Sequence, residues 1–400
     1  MLHNLTLNPP RNPPIEYDEH LQELSDNVCR INAVVIRAIS LNTAPTSSLI
    51  IPQYEMLVVG KNNGEIVFVP YNVDPSHDSR RTVASVKNRQ RIKSPITALA
   101  IGRRSSQHPD EEIVSISGNG FLQVIQPPPL DSNIEPEVVH TQMIHANIMS
   151  AYFHAVEKRH HMELVVVMTD RVVRTYRWDD ELRRFAAVGK WELTGQITAV
   201  AIGDAPLSGP ECWAKLHQSV RYVSCRLGTK KSVEVQQMKS DRAERSLIMP
   251  YRCYFVDIFE PKIQEIVILA NMRERKLFTP SKELAAAATL RLQTYSILTI
   301  IDKFGIVFIY AYNEKTIKKL LLPPIIRFTS LPECVNISIC HHNNCLVIAV
   351  TAHSKKVQIH TVSMDFIVDL MAEMEANSAA EIETLRKESV SLLETIPSSL

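Results

Sequence analysis

Glycine is scarce in this sequence, 11 residues in 400, against the ~7% that is average. An excess of either charge is missing too: 44 lysines and arginines face 43 acids, a formal net charge of +1. Nucleic-acid binders usually carry a marked basic surplus, so bulk charge points to no nucleic acid. The longest apolar run, Tyr295 to Tyr312, is broken by Asp302 and Lys303, short of the ~20 residues a membrane helix needs. No spanning helix is expected. The first thirty residues hold Pro9, Pro10, Pro13 and Pro14 and lack a basic start followed by an apolar stretch, so no secretory signal is read and a cytosolic setting is expected. Cysteines are few, odd in number and scattered, at 29, 212, 225, 253, 334, 340 and 345. That is no disulfide framework, and reduced, mostly buried thiols are expected.

What is present is 45% hydrophobic residues, enough for a sizeable core, arranged in one recurring pattern. An apolar strand is followed by a polar loop, an acid or polar residue, three to five aliphatics, a tight turn and alternating aliphatics. The clear copies pair Ile96 to Ile101 with Glu112 to Ile125, Ile148 to Ala155 with Glu163 to Trp178, and Val34 to Leu41 with Glu55 to Val69. Weaker copies pair Ile197 to Ile202 with Val220 to Val235, Tyr254 to Phe259 with Glu265 to Leu277, Ala286 to Leu292 with Ser296 to Tyr310, and Val335 to Ile339 with Cys345 to Ile359. The copy at Tyr254 is compressed. Asn63-Gly64 and Asn119-Gly120 suit two-residue hairpin turns, and Phe304-Gly305 does similar work.

The pattern predicts an all-β fold, a seven-bladed β-propeller over residues 32–362, with a proline-rich lead over 1–31. Each aliphatic run (Met56 to Val59, Leu164 to Val167, Leu346 to Val350) is expected as a blade's inner strand, covered by neighbouring blades on both faces. Two stacked sandwiches are the alternative. From Met364 the apolar residues recur at three-to-four spacing, which predicts a short α-helical extension over residues 363–400. Eight acids against Arg386 and Lys387 give this stretch a net charge of −6. It is expected to dock on the propeller or on a partner.

Searches for chemistry return little. Cys340-His341-His342-Asn343-Asn344-Cys345 holds soft donors, but Cys340 ends one predicted strand and Cys345 begins the next, so inward thiols and a histidine turn are expected instead of zinc. The run Ser115-Ile116-Ser117-Gly118-Asn119-Gly120 is a hairpin turn and not a nucleophile elbow. No phosphate-cradling loop is present. Acids lining a propeller funnel are the remaining enzymatic route. No cofactor, no metal and no catalytic residue are assigned. The densest basic run, Arg80, Arg81, Lys87, Arg89, Arg91 and Lys93, suits an acidic partner or an anionic membrane surface, or else a solvated loop. Arg171, Arg174 and Arg177 share a hairpin with Tyr176 and Trp178, and alternation puts Arg174 on the face of both rings. These five residues are candidate partner-binding residues, since arginine stacked on aromatics is common at interfaces. Sealing between blades is the competing reading.

The stretch ELVVVMTDRVVRTYRW, Glu163 to Trp178, followed by Lys190-Trp191-Glu192-Leu193-Thr194-Gly195-Gln196-Ile197, resembles the integrin-alpha FG-GAP repeat-containing protein 2 family. The first repeat, ending LVVGKNNGEIVF, and the last strand pair running into an acidic helix are similar to it as well. The resemblance implies a non-enzymatic propeller scaffold of the KICSTOR complex, partnered by a kaptin-like propeller and other subunits. In that role it recruits the Rag-directed GTPase-activating complex to the lysosomal membrane and restrains amino-acid-dependent TOR signalling during starvation. A propeller adaptor for another assembly, such as membrane trafficking machinery, is the alternative, and a propeller hydrolase a third. FG-GAP repeats often carry a calcium loop of alternating carboxylates. Here the loops read LNTAPTSSLIIPQY, GRRSSQHPDE and HAVEKRHHM, with Arg103, Arg104, Lys158 and Arg159 where carboxylates would converge, so calcium is not expected.

Overall fold

In the computed structural model, residues 33–73, 83–86, 93–105, 108, 110–128, 135–155, 162–170, 172–192, 295–312 and 324–376 are described, with residues 29–30, 321–322 and, from 196 to 292, residue 292 and the strands named below. These residues form seven antiparallel-built sheets, and the fold is a β-propeller. The first sheet comprises Pro45–Ile51, Met56–Lys61, Ile66–Pro70 and Ala84–Val86, the second Ile96–Gly102, Glu112–Ser117, Phe121–Gln126 and Glu137–Met143. The third is Ile148–Ala155, Met162–Met168, Val172–Asp179 and Arg184–Glu192. The fourth has three strands, Gln196–Asp204, Ser219–Leu227 and Lys230–Ser232. The fifth, Arg252–Val256, Ile266–Ala270 and Arg273–Leu277, takes its fourth strand from Leu321–Leu322, beyond the sixth sheet's hairpin. The sixth joins Leu284–Arg291, Ser296–Asp302, Ile306–Tyr312 and Ile326–Thr329, with Cys29–Arg30 added in parallel at its edge. The seventh is Cys334–His342, Cys345–Ala352, Lys356–Ser363 and Val34–Ser40. The first strand of each sheet touches the first strand of the next, and the seventh touches the first, so the sheets close a ring.

Two strand assignments differ from the sequence expectation. Val34 to Leu41 is not the opening strand of the first sheet: Val34–Ser40 runs antiparallel to Lys356–Ser363 and completes the seventh. The opening strand is Pro45–Ile51, inside the stretch LNTAPTSSLIIPQY that reads as a loop. Alternation identifies a strand but not a partner lying more than 300 residues away, and a ring needs its two chain ends sewn into one sheet. The aliphatic runs are interior strands, as expected, but they occupy the second position in each sheet, one step out from the axis. All of Met56–Lys61, Glu112–Ser117 and nearly all of Cys345–Ala352 are buried. Each wholly buried Val, Leu or Ile there contributes about 1.5–3 kcal/mol, and neighbouring sheets cover both faces. Glu137–Met143, an outer strand, alternates exposed and half-buried residues instead.

The turns differ too. Gly64, Gly120 and Gly305 have φ of 79°, 87° and 86°, but Asn63, Asn119 and Phe304 are not left-handed. With Gly64 N–H donating to Lys61 O at 3.1 Å and Lys61 N–H to Glu65 O at 2.9 Å, the connection is a three-residue loop, a type I turn closed by a left-handed residue. The two-residue primed turn occurs at Asn343-Asn344, where both φ values are positive, 47° and 57°.

Helix α1, residues 364–376, buries Met364, Ile367 and Met371 in the core shared by the sixth and seventh sheets. Met364 N–H donates to Asn344 O, and Asn344 Nδ2 to Asp365 Oδ2 at 2.7 Å. The acidic extension therefore docks on the propeller at its start. The expected apolar positions from Ile382 to Ile396 lie outside the described residues. Among the described residues no helix is long and apolar enough to cross a membrane.

Candidate interaction site between the second and third sheets

Among the described residues, three of the aliphatic runs are headed by an acid, and each of these acids has a basic partner. Glu55 Oε1 lies 3.1 Å from His342 Nε2, joining the first sheet to the seventh. Glu163 pairs with Arg177 Nη2 at 2.6 Å inside the third sheet. Glu112, 2% exposed, holds Arg104, 7% exposed, through Arg104 Nε and through Nη2 at 2.6 Å. Two charges this dry are kept by one another: removing either leaves an uncompensated buried ion.

Arg104 also lies over the Trp178 ring, 4.6 Å from its centroid. The arginine-on-aromatic stack expected from the sequence therefore exists, with Arg104 of the second sheet and not Arg174 as the cation. Arg174 is four residues from Trp178 along its own strand, about 13 Å of extended chain, whereas Arg104 reaches the ring from the adjoining sheet. Trp178 is closed in on other sides by His140, edge-on at 4.9 Å, and Phe185 at 5.2 Å. Its Nε1 donates to Asp180 Oδ1 at 3.0 Å, which also accepts from Ser105 Oγ at 3.1 Å. Gln142 locks the outer strands together, donating from Nε2 to Phe185 O and accepting Phe185 N–H at Oε1, both 2.8 Å. Burial holds the His140 imidazole below its usual range; the Gln142 hydrogen bond opposes this and the Arg104 charge adds to it.

Of the five residues expected to bind a partner, Arg171 lies outside the described residues. Tyr176 and Trp178 are buried in the shared core of the second and third sheets, with the Tyr176 hydroxyl 2.9 Å from His145 Nδ1. Burial raises the Tyr176 pKa, which the Arg174 charge partly offsets. Arg174 and Arg177 are half-buried. The rings are packed within the chain, while Asp180, Leu182 and Val188 of the third sheet are exposed. Close approach is built in at Gly102, where a Cβ would come within 2.5 Å of the Phe153 ring. Arg104, Glu112, His140 and Asp180 were missed by sequence reasoning. The acid recurring at the head of the runs at Glu55, Glu112 and Glu163 was the available signal for Glu112.

Elsewhere the candidate chemistry resolves into structure. Cys340 is buried, its thiol 3.9 Å from the Tyr71 hydroxyl, and burial pushes its pKa up to about 12. His342, expected on an exposed turn, ends its strand half-buried against Glu55. Ser117 Oγ donates to Asn119 Oδ1 at 2.5 Å in the hairpin turn. Among the described residues no three His, Cys, Asp or Glu side chains gather to hold a metal. Of the basic run, Lys93 alone is described, and it is exposed.

The chain superposes on Raptor of Chaetomium thermophilum with a TM-score of 0.50 at 12% identity, over 86% of this chain and 30% of that one. A β-propeller domain of Cps50 (Swd1) from Myceliophteria thermophila gives 0.49 at 10% identity, over 82% of this chain and the whole of that domain. Among curated proteins, the mouse (Mus musculus) "KICSTOR complex protein ITFG2" is 26% identical over 172 residues, 39% of this chain and 36% of the relative. The bovine (Bos taurus) protein of the same name is 28% identical over 117 residues, 25% of this chain and 22% of the relative. The aligned parts thus span about a third or less of those relatives. Residues 83–275, just under half of the chain, match the family model of integrin-alpha FG-GAP repeat-containing protein 2.

Proposed function

We propose that the chain is a non-catalytic propeller scaffold in a KICSTOR-like complex. The observation that carries this is the family match over residues 83–275, supported by two relatives whose name places them in the KICSTOR complex. The site agrees with it: the polar and aromatic groups at the second and third sheets are spent on one another, as in a rigid body that offers rims to proteins. In this reading a kaptin-like propeller and further KICSTOR subunits are its partners. The assembly recruits the Rag-directed GTPase-activating complex to the lysosomal membrane and so restrains TOR signalling when amino acids are short. The chain itself carries out no reaction and needs no cofactor. Affinity purification from amino-acid-starved cells tests it: a kaptin-type propeller and a Rag-directed GTPase-activating complex should co-purify. Recovery of neither, with the chain folded and expressed, removes the reading.

A further inference from the structure

Four described hairpin turns between the second and third strands of a sheet share one geometry: Asn62-Asn63-Gly64, Gly118-Asn119-Gly120, Lys303-Phe304-Gly305 and His353-Ser354-Lys355. In each, the last residue has positive φ and its N–H returns to the residue three before it, at 3.1, 2.8, 3.1 and 3.0 Å. The first two follow turn chemistry closely. Glycine takes the left-handed position, and the asparagine Oδ1 accepts the N–H two residues on, from Glu65 at 3.2 Å and Phe121 at 3.4 Å. The sixth sheet's turn lacks the asparagine, and the seventh sheet's turn lacks both the asparagine and the glycine.

In the sixth sheet the capping task moves to Asp302, whose Oδ1 accepts from Phe304 N–H at 3.0 Å and Ile306 N–H at 2.8 Å. The middle position is thereby released from turn duty, and it holds Phe304, 60% exposed, with Lys303 Nζ 4.9 Å over its ring. In the seventh sheet the left-handed position holds Lys355, φ 62°, where the other three have glycine. An L-residue is strained there, and the lysine side chain is exposed, as is that of Lys356. The two turns are neighbours on one rim. The linker after Ile326–Thr329 joins them, with Ser330 N–H donating to Gly305 O at 2.7 Å, Glu333 N–H to Lys303 O at 2.9 Å, and His353 N–H to Glu333 O at 3.1 Å.

Both departures therefore put sticky groups on the same edge of the ring, an aromatic and cations, where the fold by itself asks for Asn and Gly. We propose that this rim, centred on Phe304 with Lys303, Lys355 and Lys356, is a docking surface for an acidic protein segment bearing an apolar side chain. Phe304 receives the apolar group, and Lys303, Lys355 and Lys356 receive the carboxylates. Helix α1 starts at the opposite rim, beside Asn344, and the occupant proposed is a segment of a partner protein. This surface is separate from the Trp178 seam and holds whether or not the KICSTOR reading does.

Selection of displayed random peptides on the full chain, with counter-selection on the Phe304→Asn/Lys355→Gly double variant, tests it. Enriched peptides should be rich in Asp and Glu around an aliphatic or aromatic residue. Their affinity should fall about tenfold in Phe304→Asn and weaken as salt is raised. Lys355→Gly should also weaken binding while leaving the melting temperature unchanged or higher, a combination that a purely structural lysine cannot give. Enriched sequences without acids, equal binding to the double variant, or binding that appears only after residues 377–400 are removed would each overturn the assignment.

Discussion

His360 is 1% exposed, its Nε2 2.7 Å from Ser330 Oγ and its Nδ1 without a hydrogen-bond partner. Burial pulls its pKa from 6.5 down to about 4, so it is neutral in the folded chain at pH 7. Once unfolded, the imidazole takes up a proton below about pH 6.5. Between that pH and about 4 the unfolded state binds more protons, and stability falls as pH falls through this window, by on the order of 3 kcal/mol. Urea midpoints measured from pH 7 to pH 4.5 should drop more steeply for the natural chain than for His360→Gln. Parallel curves would show that His360 does not titrate on unfolding. Nothing about this residue was legible beforehand: its neighbours in sequence mark a strand, while its dryness comes from the sixth sheet packing on the seventh. Glu112 is the contrary case, since an acid at the head of a run of aliphatics recurs at Glu55 and Glu163, and each has a basic partner.

At the scale of the element, the aliphatic runs were readable because a strand buried on both faces cannot afford alternation, and six of the seven copies pair as the pattern implied. Turn type was not readable from the dipeptide. Asn119-Gly120 fits a two-residue turn equally well, and what decides is the carbonyl row behind it. A Cβ at Gly120 would lie 2.5 Å from Ile144 O and 2.7 Å from His145 O, both backbone atoms, with φ at 87°. At Gly118, two turn positions earlier, the nearest atoms are the side chains of Ser94 and Thr97 at 3.5 Å and φ is ordinary. Gly120→Ala should therefore destabilise by about 2 kcal/mol or more, since strain in the left-handed region adds to a backbone clash. Gly118→Ala should stay within about 0.5 kcal/mol of the natural chain. Thermal melts of the two variants side by side distinguish this from a general intolerance of the hairpin, in which both would fall together.

At the scale of the whole molecule, the ring is held shut by one seven-residue strand. Val34–Ser40 pairs with Lys356–Ser363, and its Ile36 and Ile39 pack on the core that the seventh sheet shares with the first. Leu41 N–H then donates to Lys355 O at 2.7 Å, so the chain is tied to the last hairpin as it leaves. Local pattern cannot reveal such a closure, because the strand looks the same whichever sheet receives it. Its consequence is nonetheless sharp. A chain beginning at residue 41 loses the short Cys29–Arg30 pairing at the edge of the sixth sheet and leaves Lys356–Ser363 as an open edge, which invites pairing with other molecules. It should melt over a broad range well below the full chain and associate with itself. A synthetic peptide of residues 33–44 added in trans should restore the sharp transition, and the same peptide carrying Ile36→Asp and Ile39→Asp should not, because its inward face no longer fits the core. Rescue by both peptides would mean that main-chain pairing alone closes the ring, and an undisturbed melt of the shortened chain would mean that the ring does not depend on this strand.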